Sequence, residues 1–450
     1  MVKKKKKGGN KLTRKDISTF SNKFKAKKTN KVFKNVNTKI PFNKLVIKSD
    51  YIQNKKRVFK NTIDVEVKIT DQKDSGRCWL FAFMNVIRIP MIKKYKLGPE
   101  FEFSQNYLFF YDKLEKANYF LNYIYNNKNK SLEDDKLISL LTNLTGDGGQ
   151  WHMFVNLIEK YGIIPKTNMD DHFHSENSES LGEFYNNFLR KGALRIRKSK
   201  GNKEKLLNEL LYECYKILVI FLGEPPERIN WGYKRKGDKK QLYKVVENVT
   251  PLDFYKKHVP YNANNKICLI NYPCNKQPFY KLYNVDLSLN ISGDRKEQFI
   301  NVPINIIEKA IKKSIDNKEA IWCGVDWGKF TSNDEGFLDQ DGFNYKDIFG
   351  YNNVMDKCDS LNYRQSSPNH AVTIKGYNFE KGNTNGYLVE NSWGDEIGFK
   401  GNFYMSRDWL NSYGYCFVVD KKCVSKKELS VLKQKPVTLA YNSPFGSLLV

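Results

Sequence analysis

An α+β fold of two lobes, with a cleft between them, is what this sequence predicts. Long apolar runs at helical spacing dominate up to about residue 222, whereas the last third breaks into short β-type runs separated by Gly, Asn and Asp. Length and composition bound the answer. At 450 residues the chain is about three times a typical domain length, so two or three domains with ample cores fit. Hydrophobic residues at 40% and aromatics at 14% exclude a disordered chain.

Taken in order, residues 1–60 form a basic arm in which Ile17, Phe20 and Phe24 recur at helical spacing, so part of it is expected to pack as a helix. Residues 64–69 (DVEVKI) alternate like a strand and lead into the polar turn 70–76. From Cys78 to Tyr95 the sequence CWLFAFMNVIRIPMIKKY is apolar nearly all round, the signature of a helix enclosed in a core, with Pro90 expected to kink or end it. Helical patterns follow at 104–125, at 150–160 after the turn Gly146-Asp-Gly-Gly, and at 180–198 and 203–221. The stretch 223–300 is mixed. Strands are expected at 320–326, 371–376, 386–390 and 402–405.

The formal net charge of +27 resembles a nucleic-acid signature until it is located. Residues 1–60 hold 21 Lys/Arg against only Asp16 and Asp50, leaving +8 for the other 390 residues. Such an arm is either a solvated tail or, through residues 3–60, a contact for nucleic acid or an anionic surface that weakens with salt. No apolar stretch of signal-peptide length follows the polylysine start, and the longest strongly apolar run, 217–222, is far too short to span a bilayer. A soluble cytoplasmic protein with no membrane span is therefore expected, with its eight cysteines as reduced thiols. No CxxC pair exists and the histidines do not bracket the cysteines at zinc-finger spacing, so no metal site is expected.

Three segments carry chemistry. In Asp71-Gln-Lys-Asp-Ser-Gly-Arg-Cys-Trp, Cys78 opens a buried helix, where unpaired backbone N–H groups favour a thiolate. Gln72, six residues upstream, has an amide able to donate to a developing oxyanion. In Ser367-Pro-Asn-His370-Ala-Val-Thr-Ile the histidine is mounted at a strand start and is a candidate general base. In Glu390-Asn391-Ser-Trp393-Gly, the Asn391 amide can fix the imidazole tautomer and Trp393 can shield that bond from water. Each segment alone also has an ordinary reading: a packing cysteine, a surface histidine, a turn.

Together these segments resemble the papain superfamily, and its bleomycin hydrolase or aminopeptidase C branch over nearly the whole chain. GRCW, EFSQNYLFFYDK at 102–113, DGGQW at 147–151, EKYGIIPK at 159–166, TPLDFY at 250–255 and ENSWG with its following GFKG all look like that branch. The resemblance implies a papain-like fold, a helical lobe plus a β-barrel-like lobe, with Cys78, His370, Asn391 and Gln72 catalytic and Trp79 and Trp393 supporting. It implies that Gly148 and Gly149 lie along the substrate backbone. The two catalytic positions stand 292 residues apart, against roughly 130–150 in simple relatives. An insertion is thus expected at 178–300, which in the family builds a homohexamer, between a helical lobe at 61–177 and a β-rich lobe at 301–436. Residues 437–450 resemble the family's C-terminal arm, whose end, here Val450, blocks the cleft and meets the substrate amino terminus.

The expected function is cysteine-type aminopeptidase activity on peptides or amino-acid amides, with no cofactor. Two rivals stand beside it: a nucleic-acid-binding protein acting through the basic arm, and a catalytically inactive papain-like assembly protein.

Overall fold

The computed structural model describes residues 11–54, 58–236, 243–293, 296–380 and 382–449, and these divide into two compact units. In the first, the described residues up to 54 join Asp339–Met355. Its leading helix, Arg14–Ala26, is capped by reciprocal bonds between Thr13 and Asp16. The helix expected around Ile17, Phe20 and Phe24 is therefore present, but the expected packing is not: these side chains remain 54%, 52% and 44% exposed. No residue of that helix is buried, so its cap rather than a core defines it. Where the unit does pack, Phe42 lies against Tyr345 and Phe349, and backbone bonds run from Lys48 N to Gly342 O and from Asn344 N to Val46 O.

The second unit is built around the Cys78–Tyr95 helix, in which fourteen of eighteen residues are buried. Pro90 does not end it. The helices Gln105–Asn126 and Trp151–Tyr161 pack against it, and Glu179–Lys198 and Lys203–Leu222 pack on Gln105–Asn126, all close to their sequence-expected bounds. One face is closed by a mixed sheet. At its centre Ile321–Val325 pairs antiparallel with both His370–Glu380 and Gly414–Asp420, and His370–Glu380 pairs onward with Asn383–Glu390, which pairs with Asn402–Ser406.

Three expectations are corrected. Residues 64–69 are extended but enter no ladder, because that backbone bonds elsewhere, Lys68 N to Pro99 O among its contacts. The insertion expected at 178–300 does not reach 300 as a separate region. Lys266–Ile270 pairs antiparallel with Gly414–Asp420 and parallel with Phe299–Asn301, so 266–301 belongs to the main sheet. Last, not all eight cysteines are thiols: the Lys357–Asn362 helix brings Cys358 to a Cα–Cα distance of 5.2 Å from Cys274, and the two form a disulfide. Among the described residues no helix is long and apolar enough to cross a membrane.

Helix and sheet are tied together by charge as well as packing. Arg88 Nη2 donates to Glu390 Oε1 at 2.9 Å and Lys375 Nζ to Glu390 Oε2 at 2.7 Å, with Arg88 and Glu390 both at most 2% exposed. Burial opposes the Glu390 charge, but the two cations outweigh it and hold the carboxyl below its ordinary range. Thr373 Oγ1 adds a bond to Ala82 O at 3.1 Å. Removing one partner of a buried pair leaves the other charge uncompensated, so Arg88→Ala is expected to lower the unfolding free energy by about 3–5 kcal/mol. Chemical denaturation of the two proteins, with the slope held constant, measures it.

Candidate active site

Cys78 is the first residue of its helix, so its sulfur sits beside backbone N–H groups that have no intrahelical acceptor. Arg77 precedes it as the N-cap and is wholly buried, its guanidinium held by Asp171 at 2.5 Å and stacked over Phe81 and Phe109. These contacts fix where the helix begins. The backbone N–H groups of Ala371 and Trp79 favour the Cys78 thiolate, against the larger effect of burial, and Ala371 is the neighbour of His370. The pairing of His370 with Val325 sets the imidazole at the very start of its strand.

The orientation of that imidazole follows from its partners. His370 Nε2 lies 2.8 Å from Asn391 Oδ1, and the same oxygen accepts the Ser392 N–H at 2.8 Å. An oxygen that already takes a backbone N–H is the carbonyl end of the amide, so Nε2 carries the proton and Nδ1 has the lone pair. The Trp393 ring lies 4.8 Å from the imidazole, tilted by 38°, and Trp327 meets the rings of both His370 and Trp393 edge-on. The bond is thus closed to water on its indole sides, as the sequence suggested for Trp393.

Gln72 belongs to the same network. Its Oε1 accepts from Ser392 Oγ at 2.7 Å and its backbone N–H donates to Ser392 O at 2.8 Å. With the oxygen so fixed, Nε2 gives one hydrogen to Ser75 O at 2.6 Å and keeps a second. Gln72, Ser392, Asn391 and His370 therefore form one continuous chain of bonds.

Opposite lies the loop 146–149. Trp79 Nε1 donates to Asp147 O at 2.7 Å, and a Cβ on Gly149 would stand 2.6 Å from the Trp79 ring, so only glycine fits there. Lys116 Nζ donates to the carbonyls of both Gly146 and Gly148 at 2.7 Å. Burial works against the Asp147 charge, yet Lys113 Nζ at 2.5 Å, Ser178 Oγ and the Gly76 N–H outweigh it and hold the carboxyl far below its ordinary range. The C-terminal segment reaches this region through Gln150 Nε2, which donates to Phe445 O at 3.1 Å, with Phe445 buried against Tyr272. Val450 lies outside the described residues.

The structure joins His370, Asn391 and Gln72 through Ser392, sets Trp79 against the loop that holds Gly148 and Gly149, and places Trp393 beside the His370 ring, while Cys78 is the chain neighbour of Trp79. Sequence reasoning missed several supports. Ser392 orients both amides. Asp326 accepts from Ser366 Oγ at 2.6 Å and Asn369 Nδ2 at 2.8 Å, which holds the segment leading into His370. Lys113 and Lys116 stand one helical turn apart in Gln105–Asn126, an i, i+3 signal that was legible but pointed to no partner. Among the described residues no cluster suited to a metal ion exists.

Burial pushes the Cys78 thiol up to about 11 and the His370 imidazole down to about 4, the latter against the opposing bond to Asn391. Either charge alone is disfavoured in this site. Opposite charges on neighbouring groups would each lessen the cost of the other.

The model of the Peptidase C1-like family matches residues 11–446. The chain is 38% identical over 413 residues to the bleomycin hydrolase of Mus musculus, covering 88% of this chain and 90% of that protein. It is also 38% identical over 395 residues to the aminopeptidase C of Listeria monocytogenes, covering 87% and 88%. Among solved structures, pepw from Lactobacillus rhamnosis superposes with a TM-score of 0.93 at 32% identity, over 97% of this chain and 99% of that one.

The His370 environment carries a pH consequence. In a Cys78→Ala protein no thiolate can compensate an imidazolium, so the folded state resists protonation down to about 4 while the unfolded histidine titrates near its usual 6.5. Between those values the unfolded chain binds the extra proton. Stability is therefore greatest above about 6.5 and falls with pH, by roughly 3 kcal/mol at most. The denaturation midpoint of Cys78→Ala should drop from pH 7 to pH 4.5 more steeply than that of the Cys78→Ala/His370→Gln double variant.

Proposed function

The chain belongs to the Peptidase C1-like family, and on that premise we propose that it is a cysteine aminopeptidase in which Cys78 is the nucleophile, His370 its proton acceptor, Asn391 the group that fixes the imidazole and Gln72 an oxyanion donor. The observation that carries this assignment is the His370–Asn391 bond at 2.8 Å, which leaves Nδ1 able to take a proton, with the N–H of Ala371, next to His370, among the groups that favour the Cys78 thiolate.

The thiol proton moves to Nδ1, and the thiolate attacks the carbonyl of a peptide or amino-acid amide. Negative charge then develops on the carbonyl oxygen, where the second Nε2 hydrogen of Gln72 and the backbone N–H of Cys78 receive it. The imidazolium protonates the leaving amine, and the same ring then draws a proton from water to release the acyl group. Gly148 and Gly149 line the substrate backbone: having no side chains, they leave the carbonyl and N–H groups of an extended peptide within reach. No cofactor takes part in these steps.

Aminopeptidase rather than internal cleavage is supported by the C-terminal segment, which Gln150 ties to the loop 146–149. By the family resemblance of residues 437–450, contact with the substrate's free amino terminus is assigned to Val450. Homohexameric assembly and a cytoplasmic location enter this reading from the family resemblance alone, and the Cys274–Cys358 disulfide counts against a reducing compartment. The basic stretch 3–60 is a salt-sensitive contact for nucleic acid, supported by the 21 Lys/Arg concentrated in residues 1–60. An inactive assembly protein is disfavoured because Cys78, His370, Asn391 and Gln72 are all present and connected.

Cys78→Ala should abolish hydrolysis of aminoacyl-coumarin amides in a protein that still unfolds cooperatively; retained turnover would sink the assignment. Gln72→Ala should reduce kcat by about 10²–10³-fold, the usual effect of losing one oxyanion donor. Deleting residues 448–450 should shift products from single amino-terminal residues toward internal fragments, read by mass spectrometry on a defined peptide.

A further inference from the structure

Asp147 makes one contact that reaches out of its own loop to the segment before the nucleophile. Its Oδ2 accepts the Gly76 N–H at 3.0 Å, across 71 positions of chain. The approach is so close that a Cβ on Gly76 would stand 2.6 Å from Asp147 Cβ. The carboxylate is kept there by Lys113 Nζ, 2.5 Å from Oδ1, and by Ser178 Oγ, which donates to Oδ2 at 2.5 Å.

The Gly76 N–H and the Ser75 carbonyl belong to one planar peptide group. That carbonyl accepts Gln72 Nε2 at 2.6 Å. A single rigid unit therefore has the Asp147 carboxylate at its N–H end and the Gln72 amide at its C=O end. Negative charge at the N–H end draws electron density toward the carbonyl oxygen, which strengthens the second bond. Ser392 Oγ donates to Gln72 Oε1 at 2.7 Å, so the amide is gripped at both ends and its remaining hydrogen has a set direction. Ser75 Oγ donates to Gln72 O at 2.6 Å and accepts Arg77 Nε at 3.0 Å; these bonds close the turn, while the N–H end of the Ser75-Gly76 peptide is held by Asp147.

We propose that Asp147 is a positioning residue for the oxyanion donor: through the Ser75-Gly76 peptide it fixes the direction in which Gln72 Nε2 presents its second hydrogen. The inference rests on the reading of Gln72 as that donor. Without an acceptor for Gly76 the peptide is free to turn, Gln72 loses a fixed partner, and the developing negative charge meets a donor that must first be ordered. A reaction of the thiol that builds no oxyanion is spared.

Removing the Asp147 charge alone would strand the Lys113 ammonium, which is 2% exposed, so the test compares Asp147→Ala with Asp147→Asn in a full chain that also carries Lys113→Met. Both proteins are uncharged at position 147, but only asparagine offers Gly76 an acceptor. On leucyl-coumarin amide the alanine protein should have a kcat about tenfold below the asparagine protein, a part of what losing a whole oxyanion donor costs. Alkylation of Cys78 by iodoacetamide, a displacement at carbon read by mass spectrometry, should agree between them within about twofold. With Gln72→Ala added to both, the kcat difference should shrink to about twofold or less, since residues acting through one contact are not additive. Asp147→Glu with Lys113 intact keeps the buried charge paired while displacing the acceptor, and should show the same split between kcat and alkylation. Equal kcat for the alanine and asparagine proteins, alkylation that falls as far as kcat, or a kcat difference that survives Gln72→Ala would overturn the proposal. Gln72→Ala in otherwise wild-type protein is scored separately. Unchanged kcat there refutes the oxyanion reading and the proposal with it, whereas additive losses refute the role of Asp147 and leave that reading standing.

Discussion

A helix apolar on nearly every side has to be enclosed, and the arrangement of the larger unit follows from what encloses Cys78–Tyr95. Helices cover part of its surface and the strand His370–Glu380 covers another, with Thr373 bonded to the Ala82 carbonyl. Because Glu390 answers both Arg88 on the helix and Lys375 on the neighbouring strand, sliding the helix along the sheet would strand a buried charge. That register decides the chemistry. Asn391 follows Glu390 directly, so the contact that locks the packing also fixes the amide that holds the His370 imidazole.

The same burial sets the electrical condition of the site. Removed from water, a thiolate and an imidazolium are each costly, and each group alone remains neutral. A proton moving between them costs far less than a proton exchanged with solvent, because the site then keeps its net charge. The indoles of Trp327 and Trp393 preserve this condition by excluding water from the His370–Asn391 bond. Backbone N–H groups at the helix start supply the remaining stabilisation without adding a charge of their own.

How much of this was legible in the sequence depended on whether a feature is local. The Cys78–Tyr95 helix, the four long helices that follow it, the central strands and the bonded residues His370, Asn391 and Gln72 could be read from runs of apolar residues and short motifs. What could not be read arises from pairing across long distances. Ser392 looked like an ordinary turn residue because its role exists only once Gln72, 320 positions away, reaches it. Strands 266–270 and 299–301 were absorbed into the insertion because membership of a sheet is settled by partners, here Gly414–Asp420, and not by local alternation. The Cys274–Cys358 bridge spans 84 residues and was excluded by an argument about compartment that says nothing about proximity. In the arm, spacing identified the helix correctly and packing wrongly, since periodicity reports a face and not its neighbour.

Lys113 and Lys116 show why the loop opposite the thiol is rigid despite its glycines. Glycine lowers the cost of bringing a ligand's backbone close, yet it also frees the loop to move. Two buried ammonium groups remove that freedom by bonding the carbonyls of Thr145, Gly146 and Gly148 and the Asp147 carboxylate. Asp112 in turn balances Lys116 at 2.6 Å from the preceding helical turn. The carbonyls are thereby committed, and the loop holds a fixed shape whose position is set by one face of the Gln105–Asn126 helix.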